Sequence, residues 1–231
     1  GDEIMFAGLI PDVLDEIGPL GRLSLAVEPR LVELFARSFP AAEVIAHTTT
    51  RAGSQRRRAA RPSQAVDLWT PIASLTRRFR GTLADFPSEP GFLRPDPARV
   101  AHWRAWLGEG SAAIGLTWRS GKVLGDRRRN YPSLEAWEPV LRTPGVRFVN
   151  LQYGDCADER RALGRLGRTE ILEPPGIDLR NDLDDLAALC AALIPVLACV
   201  RQTGGQLYAE DEAGAPRRAA AARASTNPAK T

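Results

Sequence analysis

Ala112-Ala113-Ile114-Gly115-Leu116-Thr117-Trp118-Arg119-Ser120-Gly121-Lys122 is the stretch on which the reading of this chain turns. Its first six residues carry no charge and are small, apolar or β-branched, as in a strand buried on both faces, and polar and cationic groups follow at once. Downstream, Leu134, Trp137, Val140 and Leu141 recur at helical spacing, and Val146 to Leu151 forms a second apolar strand. A polar helix over about 157–166, a strand over 169–172 and an apolar helix over 183–193 continue the alternation. Gly176 and the acids Asp178, Asp182, Asp184 and Asp185 lead into that last helix, where negative charge near an N-terminus is favourable. Strand and helix in this order predict a parallel sheet with helices packed on it, an α/β protein.

The first half carries the same rhythm more faintly. Ile4, Phe6, Ala7, Ile10, Val13, Leu14 and Ile17 predict a helix that ends at Gly18-Pro19. Residues 23–27 and 43–46 read as short strands, and Leu31, Leu34, Phe35 and Phe39 mark a helix between them that opens at Pro29. His47 to Pro62, with Arg51 and Arg56-Arg57-Arg58, reads as a solvated loop. A short helix through Leu75 and Phe79 comes next. Four prolines, Pro87, Pro90, Pro95 and Pro97, then exclude helix or central strand between 81 and 97. A helix from Ala98 to Leu107 follows. The division expected is a first domain over 1–97, a second over 98–200, and a disordered alanine-rich, charged tail over 201–231.

Composition narrows the classes. The chain has 231 residues, 44% hydrophobic, 26% charged and 6% aromatic, ordinary values that exclude a fibrous or wholly disordered chain. No eighteen-residue apolar run offers a transmembrane helix. The opening residues lack the cationic-then-apolar order of a signal peptide, and a cytoplasmic location is expected. Cys156, Cys190 and Cys199 form no zinc-site spacing and read as reduced thiols. With His47 and His102 as the sole histidines, no metal centre is expected. A net charge of +3 is too small to imply nucleic acid, and no nucleic acid partner is expected.

Two segments carry chemistry. Gly1-Asp2-Glu3-Ile4 opens a helix, where Asp2 is either a helix cap or a general base toward a hydroxyl. The second is the loop after residue 117, at the carboxyl end of a parallel strand, where α/β sheets bind ligands. Thr117 and Ser120 offer hydroxyls, Gly121 close backbone approach, and Arg119 with Lys122 charge; Arg127-Arg128-Arg129 adds a second cationic group. The spacing is not that of a P-loop. A solvated basic loop is the plainer account. Trp118 stands beside this loop as a residue that could stack on a ligand, while Trp103, Trp106 and Trp137 read as core.

Gly1-Asp2-Glu3-Ile4-Met5-Phe6 with Pro11-Asp12, then 114–121, Leu134-Glu135-Ala136-Trp137 and 148–155, resemble in order and spacing the catalytic region of bacterial TPR-associated glycosyltransferases. Those proteins are similar to ADP-heptose:lipopolysaccharide heptosyltransferases and have a GT-B fold. The resemblance runs from Gly1 to about Leu193. Thr117 and Ser120 depart mildly from the family's usual Ser-Trp-Arg-Gly-Gly loop.

The resemblance implies a GT-B-like pair of Rossmann-like domains, the second incomplete, that transfers a sugar from a nucleotide-sugar donor to a hydroxyl on a protein or glycan acceptor. Asp2 would be the base. Thr117, Trp118, Arg119, Ser120, Gly121, Arg128 and Arg129 would hold the donor diphosphate, with Gln152, Tyr153 and Gly154 beside the nucleotide. No cofactor or metal is implied. The family's strand before Gly1 and its segment after the 183–193 helix have no counterpart here, so the chain is expected to be truncated at both ends. The other reading is therefore an inactive remnant that binds a nucleotide or a protein. Missing strands would leave sheet edges open to self-association.

Overall fold

The computed structural model describes residues 2–52, 55–87, 91–108, 110, 112–120, 131–193, 196–198, 208–210 and 216–218. It is a mixed α/β structure that divides into two compact units. The first comprises 1–110 with 175–192, and the second 111–174 with 193–231.

The first unit opens with α1 (Asp2–Phe6), a 3₁₀ turn (Ala7–Leu9) and α2 (Ile10–Ile17). The single helix expected over 4–17 is thus broken in the middle. Pro11 has no amide to continue the ladder and sits in the first turn of the restarted helix. Gly8 admits the Phe92 ring, which would lie 3.1 Å from an added Cβ.

Two short strands, β1 (Ser24–Val27) and β2 (Glu43–Ala46), pair in parallel with Leu25 opposite Val44. Between them a 3₁₀ turn (Pro29–Leu31) leads into α3 (Val32–Ser38). Ala7, Ile10, Val27, Leu31, Leu34, Phe35 and Phe39 form the core. The stretch expected as a loop from His47 contains an antiparallel hairpin, β3 (Thr48–Ala52) with β4 (Gln55–Ala59). Its ladder is made of backbone, so the absence of apolar alternation hid it; only Thr48-Thr49-Thr50 carried a β-branched signal.

Farther on come α4 (Thr76–Phe79) and α5 (Pro97–Leu107). Asp96 caps α5 by accepting from the amides of Ala98 (2.8 Å) and Arg99 (3.1 Å), and Gly108 ends it at φ 65°. This helix belongs to the first unit, so the break falls after Gly110 rather than at Pro97. The chain also returns: α8 (Leu183–Ala192) packs against the first-unit core through Leu183 and Ala187.

The second unit is built on β5 (Ala112–Thr117), with β6 (Val146–Asn150) on one side and β8 (Val196–Ala198) on the other. β7 (Ile171–Leu172) completes a wholly parallel sheet in the order β7-β6-β5-β8. β7 is half as long as expected because Thr169 is used otherwise: its amide donates to Gly164 O at 3.1 Å, closing the end of α7 (Ala157–Gly167). β8 extends the sheet beyond the 183–193 helix, where the apolar pattern is too short to announce a strand. α6 (Glu138–Leu141) and α7 cover one face, over a core of Leu116, Trp118, Trp137, Leu141, Phe148, Leu163 and Ile171. Gly115 is needed in β5 because a Cβ there would collide with Leu151 and Leu193.

Within the expected tail, β9 (Tyr208–Glu210) and β10 (Pro216–Arg218) pair antiparallel; the rest of that expectation falls outside the described residues. Among the described residues no helix is long and apolar enough to cross a membrane.

Candidate functional site

Parallel strands end with their carbonyls and following loops on one edge, and that edge is where this kind of sheet takes ligands. In the second unit the edge is organised by Gln152, which is 1% exposed. Its Oε1 accepts from Thr117 Oγ1 (3.3 Å), the Trp118 amide (3.2 Å) and the Arg119 amide (3.0 Å), while its Nε2 donates to Tyr153 O (3.2 Å). Thr117, Trp118, Arg119, Gln152 and Tyr153 are therefore assembled at one place. Gly154 follows at φ 85°, a turn that strains any other residue.

The loop is fixed by charge as well. Arg119 Nε donates to both oxygens of Glu159 (2.9 and 2.8 Å), and a terminal nitrogen donates to Asp155 O (2.7 Å). The Trp118 indole donates to the same Glu159 at 3.0 Å. Trp118 itself is 2% exposed and lies in the core with Trp137, so it anchors the strand end and offers no face for stacking. Beneath, Asn150 donates to Glu173 (3.2 and 3.0 Å) and accepts the Gln152 amide (2.9 Å). Cys156 donates to Gln152 O at 3.4 Å, and burial pushes its thiol upward. Ser120 is described and half-buried; Gly121, Lys122, Arg127, Arg128 and Arg129 lie outside the described residues.

What this edge can do chemically follows from what is already used. Two successive amides, Trp118 and Arg119, are satisfied by Gln152, so they do not supply an anion cradle in this arrangement. Among the described residues of this loop the Arg119 guanidinium is the cation, and it is paired with the Glu159 carboxylate. An incoming diphosphate would have to compete with Glu159 for it.

The first unit has its own carboxyl edge, where Asp2 and its neighbour Glu3 are placed differently. Asp2 is exposed in the first turn of α1. Glu3 instead reaches the strand ends: its Oε2 accepts the Glu28 amide after β1 at 2.7 Å, and its Oε1 meets His47 Nε2 after β2 at 3.1 Å. Arg58 on β4 stands 3.6 Å from the same oxygen. His47 is 6% exposed. Its remaining nitrogen, Nδ1, is 3.5 Å from Thr49 Oγ1. A histidine placed directly after a strand, in a chain with only two, was the signal available for this centre.

Pro11-Asp12, part of the motif that carried the resemblance, has a structural role. Asp12 takes a two-pronged pair from Arg80 at 3.0 and 2.7 Å, and Arg80 also donates to Gly8 O at 3.1 Å.

Among the described residues no group of three or more His, Cys, Asp or Glu side chains could hold a metal. No family model matches the chain. No solved structure matches it either. Protein FlbA of Caulobacter vibrioides is 50% identical over 200 residues, a match that takes in 84% of this chain and 33% of that protein. The chain thus spans about a third of the length of the relative to which it is similar.

Proposed function

We propose that the chain is a glycosyltransferase-like protein that transfers a sugar from a nucleotide-sugar donor to a hydroxyl on a protein or glycan acceptor, on a GT-B-like pair of Rossmann-like domains. The observation that supports this reading is the Gln152 clamp. It ties Thr117 and Arg119, after β5, to Tyr153, after β6, at one edge of a parallel sheet. In such a reaction the leaving diphosphate gains charge as its bond to the sugar breaks, and a guanidinium at the edge stabilises it. Arg119 would fill that role, with Thr117 and Ser120 as hydroxyl donors and Arg128, Arg129 and Gly121 as the further donor-side groups that the resemblance supplies. Asp2 is the base that the resemblance supplies on the acceptor side. The reaction as written calls for no cofactor, and the setting proposed is the cytoplasm.

The alternative is a non-catalytic module that binds a nucleotide or a protein. It is favoured by the Arg119–Glu159 pair, which holds the one described cation of the loop in a local bond. A thermal-shift titration with UDP, ADP, GDP and CMP tests the donor site. A saturable rise with one nucleotide, lost in Arg119→Ala, supports it. A cooperative melt that none of the four moves rejects it. Release of nucleotide from the matching sugar donor then separates the transferase from the binding module.

A further inference from the structure

We propose that His47, oriented by Glu3, is the group that takes the proton from the acceptor hydroxyl, at the carboxyl edge of β1 and β2. The role rests on the transfer reading above, and it moves the base from Asp2 to a neighbouring pair.

The tautomer follows from the partners. Glu3 as a carboxylate only accepts, so the proton of a neutral His47 sits on Nε2, which donates to Glu3 Oε1 at 3.1 Å. Nδ1 then carries the lone pair. Its partner, the Thr49 hydroxyl, is 3.5 Å away, at the limit of a hydrogen bond, and Thr49 is an exposed residue on β3. That contact is weak and replaceable, so an acceptor hydroxyl approaching closer displaces it at little cost.

Glu3 is itself held in place. The Glu28 amide fixes one oxygen at 2.7 Å, and the other meets the imidazole at 3.1 Å, with the exposed Arg58 guanidinium 3.6 Å from it. This is the arrangement a general base requires: one nitrogen bonded to a carboxylate that steadies the imidazolium, the other available to a proton. Asp2 lacks it, being exposed at the start of a five-residue helix.

The step balances without a further reagent. The acceptor O–H proton passes to His47 Nδ1 as the acceptor oxygen forms its bond to the anomeric carbon. The bond from that carbon to the donor phosphate breaks, and the nucleotide leaves with the electron pair. His47 afterwards releases its proton to solvent.

Two measurements on the full chain test this role. In a His102→Gln background His47 is the remaining histidine, and diethyl pyrocarbonate at pH 7 reads its free nitrogen through peptide mass spectrometry. Modification of His47 in the folded chain, with its rate changed several-fold by Glu3→Gln, is expected; a His47 that reacts only after denaturation overturns the role. The second measurement follows nucleotide release from UDP-, ADP-, GDP- and CMP-sugars. His47→Gln is expected to lower kcat about 10²–10⁴-fold while the nucleotide thermal shift is retained. Glu3→Gln is expected to lower kcat less, again with the thermal shift unchanged. Wild-type turnover in His47→Gln, or a loss confined to Asp2→Asn, overturns the assignment. No turnover by the wild-type chain overturns the transfer reading itself, and diethyl pyrocarbonate modification of His47 tells that outcome apart from a misassigned base.

Discussion

Arg37 and Asp184 lie 147 residues apart in sequence and meet fork to fork, at 2.7 and 2.9 Å. Asp184 has 7% of its side chain exposed, and Arg99 stands 3.8 Å from it as a second cation. The neighbouring Asp185 accepts from the Trp103 indole at 2.9 Å. Together these contacts bind α8 to α3 and α5, and they explain why a helix that follows the second unit's strands belongs to the first unit.

Asp184→Ala leaves Arg37 facing a pocket built for a carboxylate, with only the Arg94 carbonyl at 3.1 Å and Asp96 at 4.0 Å as partners. Removing one member of a mostly buried pair costs about 3 kcal/mol, and the half-open Arg37 places the loss at the low end of that class. Urea unfolding should show the extrapolated unfolding free energy fall by that amount, through a lower midpoint at an unchanged slope. A change below 0.5 kcal/mol would mean that α8 is held by apolar packing alone.

Gln152→Leu keeps the volume and removes the acceptor for Thr117, Trp118 and Arg119. The two stranded amides and the hydroxyl make the change costly, about 3 kcal/mol in total. Nucleotide-induced thermal shifts should vanish with it, because the loop after β5 loses its tie to β6.

Glu159→Gln tests competition at the donor edge. Replacing the carboxylate by a neutral amide frees Arg119 for an anion, so a nucleotide that binds the wild type should bind about 3–10-fold tighter, read by calorimetry. Weaker binding would show that Glu159 positions Arg119 and does not compete for it.

Asp96 carries a pH dependence. The amides of Arg99 and Ala98 hold its carboxylate below the usual range. A carboxyl whose folded value is lowered contributes stability that is complete above its unfolded value and is lost as pH falls through the folded one. Stability should therefore decline below about pH 4. Asp96→Asn, which retains a capping oxygen, should flatten that acid limb in a urea series from pH 6 to pH 3.

Burial raises the Cys190 thiol to about 11. At pH 8 its thiolate fraction is far below that of an ordinary cysteine, and maleimide labelling should be about 10²-fold slower than in unfolded chain. Labelling at the unfolded rate in native buffer would show that α8 opens on the timescale of the reaction.

The local sequence by itself determined the elements whose apolar spacing is strong, β5, β6 and α8, and it placed a polar helix at α7 and a helix from Ala98 to Leu107; that the latter begins at Pro97 under an Asp96 cap only the structure shows. The strand pattern placed Thr117 and Arg119 at the carboxyl end of a strand, whereas Gln152 was singled out through the resemblance alone, and its tie to them comes from the parallel pairing of β5 with β6. The β3–β4 hairpin was not legible, because backbone hydrogen bonds leave no mark in side-chain polarity. Nor was the division into units, which depends on Arg37 finding Asp184 and Trp103 finding Asp185 across long stretches of chain. That Glu3 and not Asp2 meets His47 was decided the same way. Both acids stand in one helical turn, and only the tertiary structure, by setting β1 and β2 side by side, directs one of them at His47.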